Sequence, residues 1–232
     1  MQRSVKFIHK TGTRVAAILA VSLLFSIALY SQEMVDKTVA SISDSTRTEL
    51  ITYSEIMWEL ALQPNAPLDP PRPDDLNAAL LRLIDQRLFG LEAGRLPIPA
   101  PTATEIKNEI DKILKYFPSA ADFEARLKRV GFESIKDDNF ERIIAERLSI
   151  NNYIDFRFRS FMVITPEDEA KYFREVFTPD FRKKYQGLLM PTLDEKRNEI
   201  RSILIEQKVA TRIESFLDDA KRRVEIEIIS KP

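Results

Sequence analysis

A strand pattern stands at each end of a chain that is otherwise patterned for helix, and this limits the folds open to it. Near the N-terminus, Val35 to Ile42 (VDKTVASI) reads as a strand, followed by a polar turn (SDSTRTE) and a second apolar step at Leu50-Ile51. The far end, Val224-Glu-Ile-Glu-Ile228, alternates strictly, as a half-buried strand does. A lone strand leaves a row of backbone N–H and C=O groups unpaired. The two ends are therefore predicted to meet in one small sheet. The expected class is mainly α, a multi-helix domain with a small β-sheet formed by its N- and C-terminal strands.

Between the ends the periodicity is helical. Thr52-x-x-Glu55 is a capping box, and it predicts a short helix over about 53–62 that carries Ile56, Trp58 and Leu60. Pro64, Pro67, Pro70, Pro71 and Pro73 then interrupt the pattern, which predicts an extended surface crossing. Leu76, Leu80, Leu83, Ile84, Leu88 and Leu91 mark one helix face, ended near Gly94. After a second break at Pro97, Pro99 and Pro101, Thr102-x-x-Glu105 opens a helix with Ile106, Ile110 and Ile113. Ser119 opens another, with Phe123, Leu127 and Val130 on one face and Gly131 at its end. A long helix is expected over about 136–161, roughly 39 Å at 1.5 Å per residue. Thr165-Pro166-Glu167-Asp168 is a helix start leading to Tyr172, Phe173 and Phe177. Residues 178–191 read as irregular. Thr192-x-x-Glu195 opens the last helix, over about 193–223, so that 192–229 complete a single domain spanning 32–232.

Residues 1–31 have a different character. Arg3, Lys6, His9, Lys10 and Arg14 precede the apolar run Val15 to Tyr30 (VAAILAVSLLFSIALY), and no acid accompanies them. This is the basic and apolar layout of an export signal, with small residues suited to cleavage after Ala28 or Ser31. The alternative is an uncleaved N-terminal membrane anchor. The run has 16 residues, against about 20 for a comfortable span. Removing 1–31 takes four of the 35 Lys and Arg and none of the 36 Asp and Glu, so the formal charge moves from −1 to −5. That balance suits neither coating of nucleic acid nor adhesion to anionic lipid; the membrane is expected as a partner only through a retained N-terminal segment.

Composition removes most enzymes. There is no Cys, and His9 is the only His. A cleaved chain then has no base for a Ser–His–Asp or Cys–His site and no usual zinc ligands. Five glycines are too few for a phosphate-cradling loop. Asp74-Asp75, Asp137-Asp138 and Asp218-Asp219 are acid pairs on paper, but each falls at a helix end or on a charged face. Phe156-Arg157-Phe158-Arg159 alternates aromatic and basic residues as single-strand binders do. On a helix, however, the two rings point about 200° apart and cannot form one stacking face. Met57, Trp58, Phe161, Met162, Phe173, Phe177 and Phe181 fall outside the clean helical stripes. Singly they suit a core; as a group they are the candidates to line an apolar groove.

Several pieces stand in a recognisable order. The export-type start, VDKTVASI, LITYSEI, LLRLIDQRLFGLEAGRL, PTATEI, FPSAADFEARLKRVGF, ERLSINNYIDFRF and VITPEDEAKYFREVF together resemble the N-terminal chaperone domain of the SurA family of periplasmic chaperones. The resemblance covers roughly Val35 to Phe177, and the closing helix with VEIEII is similar to the segment that completes that domain. LIDQRL and the Val-x-Thr-Pro-Glu-Asp helix start carry most of it. The chain departs from the family in two ways. The turn between Ile42 and Leu50 is longer. Only residues 178–191 stand where family members commonly carry parvulin-type prolyl isomerase domains, which need several times that length.

The resemblance implies a periplasmic, ATP-independent holding chaperone without isomerase modules, cofactors or catalytic residues. Its partners would be unfolded or nascent envelope and outer-membrane proteins. The alternatives are an envelope scaffold with one fixed partner, a membrane-anchored chaperone, and an enzyme of the isomerase type.

Overall fold

The hairpin at the start is set by the chemistry of its turn. β1 (Thr38–Ser43) and β2 (Thr48–Thr52) are joined at Asp44, whose Oδ1 accepts from the Thr46 N–H at 2.7 Å, the Thr46 hydroxyl at 2.6 Å and the Arg47 N–H at 2.9 Å. An aspartate that binds the backbone two residues on closes a turn in this way. β3 (Glu225–Ile228) pairs antiparallel with the other side of β1, giving the order β2-β1-β3. Ile42 stands opposite Ile226 and Ala40 opposite Ile228. The two ends therefore meet as expected. Val39, Ala40 and Ile42 of the central strand are fully buried. The computed structural model describes residues 36–232; the export-type segment 1–31 and the expected strand start at Val35 lie outside them. Residues 37–232 form one compact unit.

The helices begin where side-chain chemistry starts them. α1 (Tyr53–Ala61), α3 (Ala103–Leu114) and α8 (Leu193–Arg223) each open on a complete capping box, at Thr52, Thr102 and Thr192. α2 (Pro73–Ala93) has Pro in its first turn, and Ser119 caps α4 (Ala120–Arg129). α4 ends as glycine allows: Gly131 sits at φ 99°, Gly131 N–H donates to Lys128 and Phe132 N–H to Leu127, the paired bonds of a Schellman end. Asp137 caps α5 (Asp138–Ile154), and α6 (Pro166–Tyr172) opens on a capping box at Thr165. α7 spans Thr178–Lys184.

Three apolar clusters lie among these elements. The first joins the sheet, α1, α2 and Ala220 near the end of α8. The second joins α3, α4 and α5 around Phe123, Phe140 and Ile144. The third gathers Phe89, Tyr153, Phe158 and Val209, with Phe216 stacked on Phe89 at 5.1 Å. Charged ties connect the layers. The buried Glu59 carboxylate receives Arg82 at 2.8 Å and Arg147 at 3.1 Å, linking α1, α2 and α5.

Three expectations need correction. The proline-rich crossing is not purely a surface segment, because Ala66 and Leu68 are buried in the first cluster. Arg126 supplies the donors that its backbone carbonyls need there. The long helix ends early as an α-helix: after Ile154 comes a π-helical turn, Asp155–Arg159. The wider turn places Phe158 against Tyr153 and Phe216. Residues 178–184 are helical rather than irregular. Pro179 lacks an N–H and its ring would strike a carbonyl four residues back in a regular helix. A π-helical turn at Phe173–Phe177 precedes it and loosens that spacing.

Candidate functional site

Residues four apart on a helix share a face, and Phe173, Phe177, Phe181 and Tyr185 have that spacing. The π-helical turn takes more residues per turn than an α-helix, which brings residues four apart closer to vertical alignment. The result is a ladder of rings. Phe173 and Phe177 stack at 5.4 Å with planes 16° apart, Phe177 and Phe181 at 5.8 Å and 27°. Tyr185 tilts onto Phe181 at 4.9 Å. The three phenylalanines are half-buried and Tyr185 is exposed.

The turn beyond the ladder is more open still. Gly187 takes φ 83°, a left-handed conformation that glycine adopts without strain. It presents Leu188 at 65% and Leu189 at 94% exposure. Two bare leucines that follow the four rings directly in the chain make this segment a candidate interaction surface.

Ion pairs hold this arm in place. Glu169 of α6 is buried and receives Arg201 at 2.6 Å and Arg197 at 3.3 Å from α8. Lys208 binds Asp168 at 2.7 Å and, with the Thr165 N–H, keeps that carboxyl below its usual range. Lys196 lies 6.0 Å from the Phe177 ring centre and Lys184 5.4 Å from that of Tyr185, within reach of a cation–π attraction. The hydrogen bond to Glu199 raises the pKa of Lys196, so it stays charged there.

Of the seven apolar candidates, the structure brings Phe173, Phe177 and Phe181 together. The others are dispersed. Phe161, 68% exposed, meets Phe156 edge-on at 6.0 Å, and Met162 packs against the third cluster. Met57 packs on the first cluster and Trp58 on the second. The Trp58 indole donates to the Val130 carbonyl at 2.9 Å and its ring meets Phe132 at 5.2 Å. Trp58 also lines a small pocket that shares Leu62, Arg147 and Ile150 with a neighbouring cleft of about 600 Å³. Tyr116 projects at the edge of that cleft, 74% exposed.

Tyr185, Leu188 and Leu189 are absent from the sequence-derived set. Tyr185 continues the four-residue spacing, a signal hidden by the expectation of irregular chain after Thr178. The acid pairs have structural partners: Asp75 holds Arg72, Asp137 caps α5, and Asp219 holds Arg222. Among the described residues no His, Cys, Asp and Glu side chains group as a metal site, and no helix is long and apolar enough to cross a membrane. No protein-family model matches the chain, and comparison with curated proteins finds no match.

Proposed function

We propose that this chain is an ATP-independent holding chaperone of the periplasm, which binds unfolded or nascent envelope proteins and performs no chemistry on them. The observation that carries the reading is the Phe173–Phe177–Phe181–Tyr185 ladder continued by bare Leu188 and Leu189. Aromatic and aliphatic side chains in a row offer a client many small apolar contacts with little directional demand. Export, and with it the location, rests on the basic flank and apolar run at the start of the sequence. The class of partner rests on the resemblance to SurA-type chaperone domains.

The contacts suit binding that is easily reversed. Burying an apolar side chain the size of leucine contributes about 1.5–3 kcal/mol. Ordering a flexible client offsets much of that gain. A dissociation constant on the order of micromolar, about −8 kcal/mol, is the expected net result. Nothing in the cycle requires nucleotide.

The test is light scattering as an unfolded outer-membrane protein, and several unrelated unfolded proteins, are diluted from urea. The protein at near-stoichiometric ratio should suppress aggregation without ATP. A Phe177→Ser, Phe181→Ser, Leu189→Asp variant should lose most of that effect. Protection of none of the clients ends the proposal; protection of one alone points to a scaffold with a fixed partner.

A further inference from the structure

A second cleft, of about 730 Å³ and lined by no residue of the ladder, lies where the end of α2, the π-helical turn after α5 and the last turns of α8 meet. Its inner surface is aromatic. Tyr153 is buried, Phe216 stacks on Phe89, and Phe156 stands half exposed at the side. Four guanidinium groups line it, those of Arg95, Arg157, Arg222 and Arg223, against two carboxylates, Glu92 and Asp219.

The carboxylates are already shared. Glu92 accepts from Arg95 at 2.9 Å and lies 3.6 Å from Arg223. Asp219 pairs with Arg222, and Asp44 of the hairpin turn approaches Arg95 at 3.5 Å. Arg157 lines the cleft together with Tyr153 and belongs to no ion pair among the described residues. A chain with net charge −1 thus concentrates positive charge over an aromatic surface.

We infer that this cleft recognises an acidic peptide segment, one in which a carboxylate stands beside an aromatic or branched aliphatic side chain. Guanidinium groups bind a carboxylate through parallel N–H donors and also lie flat on rings. The side chain next to the acid would rest against Tyr153, Phe156 and Phe216. A volume of this size accommodates a few side chains. Glu92 and Asp219 would repel a polyanion such as nucleic acid, whereas a single client carboxylate matches the one guanidinium charge left unshared, that of Arg157. The inference deepens the chaperone reading and rests on it: it names which client segments are preferred.

The experiment uses the full chain and fluorescein-labelled peptides, read by fluorescence anisotropy. Two peptides differ only in Glu or Gln beside a Phe. At low salt the Glu peptide should bind about tenfold more tightly, a difference that salt screens. In an Arg157→Gln, Arg222→Gln variant the two affinities should become equal, and Arg157→Lys should restore part of the preference. The affinity for the Gln peptide and the urea midpoint should be unchanged.

Equal affinities in the wild type, or a preference that survives in the double variant, would overturn the inference. So would binding to anionic phospholipid vesicles that is lost in the same variant, since it would assign the charge to a membrane surface. An acid preference without any client protection would instead sink the chaperone reading and leave the cleft as the docking site of one acidic partner.

Discussion

The Arg126 guanidinium of α4 donates to the Leu60 carbonyl at 3.0 Å and, through Nε and Nη2, also reaches Ala61, Gln63 and Ala66 at 3.1, 2.8 and 2.9 Å. One side chain thus closes the end of α1 and holds the proline-rich crossing. Burial lowers its pKa, and Arg129 pushes the same way, yet an arginine remains charged at any working pH. Arg126→Ala leaves several carbonyls short of donors and should cost about 3 kcal/mol, measured by urea unfolding. Arg126→Lys should recover less than half, because a point-like ammonium cannot span four acceptors.

Ile42 and Ile226 face each other across the β1–β3 pairing, and Ile226 packs on the first cluster. Ile226→Asp would place a charge against that cluster and should lower stability by about 2 kcal/mol. Deleting 192–232 removes β3 and all of α8, and the remainder should lose its cooperative transition. A truncated protein that melts as sharply and as hot as the full chain would refute the two-ended assembly.

Asp44 provides a test by pH. Hydrogen bonds from the Thr46 side chain, then from the Thr46 and Arg47 backbones, lower its pKa from 3.8 to about 2. A carboxyl with a depressed folded-state pKa contributes stability above its unfolded value, and loses it as pH falls through the folded value. Asp44→Asn should therefore be less stable than the wild type at pH 7. The gap should narrow between about pH 4 and pH 2. A gap that stays constant over that range would show that the Asp44 charge contributes nothing.

Leu189 separates folding from binding. At 94% exposure it touches little, so Leu189→Asp should change unfolding free energy by less than about 0.5 kcal/mol. The same change puts a charge on the apolar tip and should weaken suppression of client aggregation several-fold. Equal protection by both proteins would move the client surface off the tip of the arm.

Helix starts were legible because a cap is a four-residue affair. Thr52, Thr102 and Thr192 each form the box that their spacing predicts, and Gly131 ends α4 as placed. Helix faces were legible for the same local reason: all six residues of the expected α2 stripe, Leu76 to Leu91, are buried. Residues 178–184 were misread because Pro179 breaks a regular helix, and a π-helical turn just before it is not visible in residue spacing. The ladder was half legible. Phe173, Phe177 and Phe181 stood out as apolar candidates, but their stacking depends on the geometry of that turn.

The sequence by itself determined where most of the helices begin, which faces of them are apolar, and that a strand at each end needs a partner. These follow from interactions within a few residues and from the unsatisfied groups of an isolated strand. Only the tertiary structure decided which faces meet. Phe89, Tyr153, Phe158 and Phe216 come from three separate parts of the chain and make one cluster. Arg126 finds carbonyls some sixty residues away. Arg95, Arg157, Arg222 and Arg223 gather around one cleft. Such groupings depend on how helices cross, and no local spacing encodes a crossing between segments far apart in the chain.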